Sequence, residues 1–535
     1  MNEMIYNPLK EYDEKFKALH LENTKKHFEG LAEQSGVNAE ENRKTVKEYT
    51  ACNEKLTKLR KRLVLWRVLR VLCCITLILI PLVLLKITPK IRHLRGDVLL
   101  AEQSAAELLA QAKQQMAPLC SLFSEQDALR IIEATLPQLS FAPCFSVEQE
   151  ENMIINYDFD DHNNAEETAL EVLAGHYNEN PFLFEKRLVH TMGEHVYHGY
   201  KVIRWTESYR GSDGKRHTRT RTQTLHASVI KPKPLYTTEV LLTYCAQGGP
   251  DLSFTRDATR LDQKSEKEIE RYVKRGEKKL KRMADEALKE NRSFTSMSNA
   301  DFEVLFDALD RTNEVQFRTL FTPLAQTNIV DLIRSRVGYG DDFHFIKTKR
   351  TNRIKTAHSL KRAVTLSPDA YATYSYDETK EGFIQKNAEY FKAVYFDFAP
   401  LWAIPLYQER PVHSLEPIPD YAQSYAYKEC EALANGIPPA QVVHPRTKTP
   451  AILKSSFVEA RGDTDEVCVS AYSYDIQPRI DFIPVLGGDG RFHSVPVPWD
   501  EYLPLEEKKH FFVSTAERAE SQKVLYRRGK LCIFD

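Results

Sequence analysis

Residues 63–87, LVLWRVLRVLCCITLILIPLVLLKI, constrain this chain more than any other stretch. A helix needs about 20 mostly apolar residues to cross ~30 Å of hydrocarbon. Residues 71–85 carry no charge, and Leu63, Val64, Leu65, Trp66, Val68 and Leu69 extend them. Arg67 and Arg70 can snorkel to headgroups. Trp66 suits the interface, and Pro81 is tolerable in a bilayer helix. The expectation is one transmembrane helix over 63–87 in a single-pass membrane protein. A buried core helix is the alternative, disfavoured because soluble helices of this length keep a polar face. A cleaved signal peptide does not fit, since the run starts late and no small-residue cleavage site follows.

Orientation is read from charge and cysteine. Lys47, Lys55, Lys58, Arg60, Lys61 and Arg62 flank one side; Lys86, Lys90, Arg92 and Arg95 flank the other. The first group leans toward a cytoplasmic N-terminus. Cys120, Cys144, Cys245, Cys430, Cys468 and Cys532 are scattered, without a CxxC pair, which suits reduced thiols and favours a cytoplasmic body. Cys73 and Cys74 read as apolar filler rather than acylation sites.

A chain of 535 residues suggests two folded units beyond the anchor. The expected class is α+β. A charged helical arm (1–62) precedes the transmembrane helix (63–87) and a helical stalk (88–120). An antiparallel β-rich α+β domain (121–255), a charged connecting helix (256–298) and a second α+β domain (299–535) follow. In the stalk, Ile91, Leu94, Val98, Ala101, Ala105, Leu108 and Ala112 alternate by three and four. That seam suits a coiled coil that self-associates, or one helix lying on its own body. Residues 124–136 and 165–177 read as helices and 153–159 as a strand.

Residues 182–190, 195–209, 215–231 and 235–245 read as strands of a meander, turning at Gly211-Ser212-Asp213-Gly214 and punctuated by Pro232 and Pro234. In the return strand His217, Arg219, Arg221 and Gln223 share one face, and Thr218, Thr220, Thr222 and Thr224 the other. Residues 261–291 form a helix with acids first and bases last. Later helices are expected over 301–310, 324–336, 380–393 and 421–435. Later strands are expected over 343–354, 363–366, 467–476, 481–486 and 491–495, with Gly487-Gly488-Asp489-Gly490 as a turn.

Residues 301–335, DFEVLFDALDRTNEVQFRTLFTPLAQTNIVDLIRS, carry Phe302-Glu303, Asp310, Glu314, Arg318 and Phe321-Thr322-Pro323. This pattern resembles the core signature of an uncharacterised family of bacterial membrane-anchored proteins. The order of basic helix, membrane segment, β region and motif is similar too. Members often carry two spans, whereas one is read here. The resemblance implies a bacterial plasma membrane and brings no activity. The same residues also read structurally, with Phe302, Val304, Leu305 and Leu309 as a core face and Pro323 in a first helical turn.

No recognisable catalytic motif of the HExxH, GxSxG, Walker or kinase type occurs. His190, Glu194, His195 and His198 are close in sequence, but His195 and His198 point to opposite faces of a strand, so no metal site is expected. Residues 160–171 have the length of a calcium loop but put Ala165 where glycine is needed. GYGDD (338–342) and the 487–490 turn lack the context of a phosphate cradle. No cofactor is expected. The strongest charge feature is an acid-free run with Lys347, Lys349, Arg350, Arg353, Lys355, Lys361 and Arg362. It is a candidate patch for an anionic partner such as lipid headgroups, or else a solvated strand pair. With a net charge of −1, no nucleic-acid partner is expected. The expected function is a membrane-anchored, non-catalytic interaction or scaffold protein, with the bilayer and a second copy as partners. The alternative is a tethered enzyme with a site built from dispersed residues such as Asp341, Asp342, His344 and His358.

Overall fold

The computed structural model describes residues 4–75, 83–160, 163–210, 212, 215–259, 261, 264–289, 297–411, 425–461, 464–514 and 531–533. The chain is α+β with antiparallel sheets. The elements in the first part are α1 (Pro8–Glu11), α2 (Lys17–Ser35), α3 (Ala39–Ile75), α4 (Thr88–Cys120), α5 (Gln126–Thr135), β1 (Leu139–Phe141) and α6 (Val147–Tyr157). Next come β2 (Glu167–Tyr177), β3 (Asn180–Arg210), β4 (Arg216–Cys245), β5 (Ser253–Arg256), α7 (Glu266–Lys289), α8 (Ala300–Phe306), α9 (Glu314–Leu320) and α10 (Pro323–Arg334). The chain closes with β6 (Phe343–Thr348), β7 (Thr351–Thr356), α11 (Tyr376–Trp402), α12 (Tyr427–Asn435), β8 (Ile452–Arg461), β9 (Thr464–Leu486), β10 (Phe492–Ser514) and β11 (Leu531–Ile533). Two compact units result. One is Tyr6–Leu139 with Thr365–Ala399; the other is Met1–Ile5, Ser140–Val364 and Pro400–Asp535.

The first unit is helical. A π turn, Tyr12–Phe16, joins α1 to α2. Along α2, His20, Thr24 and Phe28 recur every four residues and are buried, as one helical face requires. Phe28 meets Phe123, Tyr376 and Phe383, and Tyr12 meets Phe391, Tyr395 and Phe396. The His20 ring stacks on Phe391 at 4.0 Å and its Nε2–H donates to the Asn387 carbonyl at 3.2 Å. Burial lowers its pKa to about 4, against the partial restoring effect of that hydrogen bond.

Helices α3 and α4 run antiparallel. Asn42 reaches Gln115 at 3.4 Å, Cys52 reaches the Ala101 carbonyl, and Arg60 pairs with Glu102 at 2.9 Å. Leu56, Leu63, Ile87, Ile91, Leu94, Val98 and Ala101 make one core between them. Among the described residues no helix is long and apolar enough to cross a membrane. The transmembrane helix expected over 63–87, and the single-pass membrane location built on it, are corrected accordingly. Residues 76–82 of that run lie outside the described residues. Of the rest, Leu63 belongs to α3, and Ile87 to a π turn (Val83–Ile87) leading into α4, and both are buried in the shared helix–helix core. Val64, Leu65, Val68 and Leu72 face outward. The stalk seam faces α3 of its own chain.

The second unit holds a seven-stranded sheet, β1-β2-β3-β4-β7-β6-β5, and a four-stranded sheet, β11-β10-β9-β8. Two local expectations reverse here. Residues 153–159 belong mostly to α6, which Ser146 caps by accepting from the Gln149 amide, and which buries Met153 and Tyr157 at helical spacing. Residues 167–177 form β2, because Asn178 and Glu179 both adopt positive φ. That two-residue turn twists β2 back onto β3, with Tyr177 opposite Asn180. Residues 363–366, expected as a strand, are not one.

Strands expected as separate pieces fuse. β3 and β4 pair without interruption from Phe182–Tyr244 to Arg210–Arg216. Pro232 and Pro234 sit inside β4, where among the described residues β4 pairs only with β3, so no ladder bond is lost on the other edge. Three of the four residues of the Gly211–Gly214 turn lie outside the described residues. β9 and β10 likewise pair from Thr464–Ser514 to Leu486–Phe492. The two long hairpins lie face to face. Ile203, Leu225 and Val495 form a core between them. The Gly488 amide donates to Gln223 Oε1 at 2.7 Å, and Lys231 pairs with Asp481 while lying over Trp499.

Two outcomes are expected. Adding a Cβ at Gly199 would bring it 2.0 Å from the Pro496 carbonyl oxygen. Gly199→Ala should therefore destabilise the second unit by ~2 kcal/mol in chemical denaturation, or lower its Tm by several degrees. In the first unit, unfolded His20 takes up a proton below about pH 6.5 while folded His20 stays neutral to about pH 4. Wild type should lose roughly 3 kcal/mol between those values relative to His20→Phe, followed by pH-dependent unfolding.

Candidate functional site

The acid-free basic run is dispersed over β6, β7 and the segment after them. Lys347 is 1% exposed. Its ammonium donates to the Gly248 and Lys349 carbonyls and lies over the Tyr407 ring. Burial lowers its pKa to about 7. Lys349, at φ 53 in the turn, and Arg350 both pair with Asp158. Arg353 donates to the Asp160 carbonyl at 2.9 Å and covers the Phe159 ring. Lys355 bonds Glu239 at 2.8 Å, a carboxylate that also holds Arg187. Lys361 is exposed, and Arg362 lies half-buried over the Phe184 ring. Apart from Lys349 and Arg350, which share Asp158, these side chains go to different partners.

Of the dispersed polar residues, the structure brings Asp342 and His358 together, while Asp341 and His344 have other partners. Asp341 and Arg256 form an ion pair with both side chains 0% exposed. Asp341 further accepts from the Thr259 and Leu261 amides, both at 3.1 Å, and from the Thr259 hydroxyl. Its lone pairs are spent on holding the chain after β5. Asp342 accepts from His358 Nδ1 at 2.7 Å and from the His358 amide, while that imidazole stacks on Tyr339 at 3.8 Å. His344 turns outward to Asp257. Asp341 thus ties down the chain after β5, and Asp342 ties down the segment after β7.

Among the described residues no three His, Cys, Asp or Glu side chains are grouped to hold a metal ion. His190 pairs with Glu166 and packs between Tyr236 and Tyr474, away from any shared centre with His195, whose ring meets Tyr197. The calcium-loop segment passes through residues 161 and 162, outside the described residues, and continues into β2. In the 301–335 segment, Phe302, Phe306, Phe317 and Phe321 stack together with Phe254. Glu303 and Glu314 clamp Arg311, whose side chain is 1% exposed. That ionic clamp joins α8 to α9 across a turn. The sequence pattern singled out the two acids but not the arginine between them.

The end of the β3–β4 ribbon is outward-facing. Gly487 and Gly488, at the tip of the second hairpin, pack on Ile203, Trp205 and Gln223. Beyond that point the first ribbon continues through five more residues on β3, about 17 Å at strand rise. Tyr209–His217, Glu207–Arg219 and Trp205–Arg221 share one face; Arg210–Arg216, Ser208–Thr218, Thr206–Thr220 and Arg204–Thr222 share the other. Arg221 pairs with Glu207 at 2.7 Å, and the Trp205 indole N–H donates to the same carboxylate. No family model matches the chain, and neither does any curated protein or solved structure.

The buried cations give a direct check. Asp341→Ala strands Arg256 without its carboxylate and should cost about 3–5 kcal/mol of stability. For Lys347, between about pH 7 and pH 10.5 the unfolded side chain holds a proton that the folded one lacks, so stability rises with pH. Lys347→Met should lack that rise, a difference of about 1.4 kcal/mol per pH unit in urea melts across the interval.

Proposed function

We propose that this protein is a non-catalytic interaction protein whose α+β body carries the β3–β4 ribbon as its partner-binding arm. The observation that carries the reading is a pair of strands 31 and 30 residues long whose far end is exposed on both faces. A ribbon built only for stability would stop where its cover stops, because bare two-stranded ribbons are marginal in water. Two further observations support the reading. Asp341, Asp342 and His358 are engaged in structural bonds. The outer faces of both hairpins also carry large apolar side chains, with Met192, Val196, Tyr200, Val202 and Ile230 on one and Ile480, Phe482, Leu486 and Phe492 on the other. Exposed apolar rows of this size mark interaction surfaces.

The test is site-specific photo-crosslinking in the native host. A benzophenone side chain at Ser212 or Thr218 should give discrete adducts, whereas one at exposed Glu107 on α4 should not. Adducts from Glu107 alone, or none from either ribbon position, would reject the arm.

A further inference from the structure

We propose that the distal β3–β4 ribbon binds a nucleic-acid duplex through its phosphate backbone; this rests on the ribbon being the partner-binding arm. Chain-wide balance conceals a strong local field. The whole chain carries −1, yet residues 194–233 hold nine Lys and Arg against three Asp and Glu. Arg204, Arg210, Lys215, Arg216, Arg219 and Arg221 are all exposed near the tip. They include five arginines and one lysine. Planar guanidinium forks suit oriented, bidentate phosphate contacts better than the point charge of an ammonium.

The arrangement around those charges fits a duplex. Past Val189, β3 pairs among the described residues only with β4, and β4 is likewise single-partnered before Leu242. Both edges are thus open, and the element presented is two strands wide. The major groove of B-DNA, ~12 Å across, admits a two-stranded ribbon. Arg219 and Arg221 stand two residues apart on one face, ~6.8 Å at strand rise, close to the step between successive phosphates. Opposite them, Thr206, Ser208, Thr218, Thr220 and Thr222 line the other face. Hydroxyls of this kind donate to phosphate oxygens and set register. Residues 204–222 contain no Leu, Ile, Val, Met or Phe, and of their two aromatic side chains Trp205 is tied to Glu207, which leaves Tyr209 as the one ring there to enter a lipid surface.

The test uses the full chain and a fluorescent DNA duplex in an anisotropy titration from low to physiological salt. With Arg221 already paired to Glu207, the five other cations would give a log–log salt slope of about −4.5. Arg216→Gln with Arg219→Gln should weaken binding by about tenfold or more and flatten the slope by about 2, with an unchanged Tm. Lys278→Gln with Lys281→Gln, on exposed α7, should leave both quantities unaltered. The proposal is overturned by absence of salt-sensitive binding at low salt, or by equal losses in the two double variants. It is also overturned if polyglutamate competes as well as unlabelled duplex. Binding only to vesicles of equal phosphatidylglycerol and phosphatidylcholine would assign the ribbon to lipid instead. Ribbon crosslinks that persist without duplex binding would reject nucleic acid while leaving the arm in place.

Discussion

The contact of one long hairpin on the other governs the second unit. Strands of 31 and 30 residues cannot stand as a free ribbon, since each face would meet water over its length. The β9–β10 hairpin supplies the missing layer. Close approach is possible because Gly199 offers no side chain where the Pro496 carbonyl arrives, and Gly487 and Gly488 leave room for Ile203 and Trp205. Lys201 and Lys231 add polar ties to the Ser494 carbonyl and Asp481. Side-chain volume at a few positions thereby sets how far the cover extends and where the bare tip begins.

Charge is used in two different ways along the chain. In the interior the guanidiniums sit in closed clusters, Arg256 with Asp341 and Arg311 with Glu303 and Glu314, whereas Lys347 is held by carbonyls. Each buried guanidinium is matched, because leaving either partner alone in a low-dielectric interior is expensive. At the ribbon tip, cations outnumber acids and lie exposed, with Arg221 paired to Glu207. Burial therefore separates interior from surface charge, and the formal total of −1 reports neither.

Much of the α+β character was legible. Thr322-Pro323 announced α10, since a hydroxyl cap and a first-turn proline need no distant partner. The alternation of Arg and Thr in β4 was equally readable. Readings failed where a local pattern had two solutions. The apolar run 63–87 looked continuous because hydropathy does not record which residues pack on a returning helix, as Leu63 and Ile87 do. Residues 167–177 had helical propensity, but two positive-φ residues, Asn178 and Glu179, turned them into a hairpin. The basic run 347–362 looked like one patch because its carboxylate partners, Asp158 and Glu239, lie more than a hundred residues away in sequence.

The helical unit is discontinuous, and this has a consequence for biosynthesis. Residues 6–139 leave the ribosome long before residues 365–399, which supply Tyr371, Phe383 and the acceptor for His20. At ordinary elongation rates the delay is on the order of tens of seconds. During it, the α2 face bearing Phe28 has no aromatic partners from α11, while the α3–α4 pairing is already available locally. The nascent chain therefore holds a half-built core in waiting, and a chaperone that shields that face would act before the second unit is even complete.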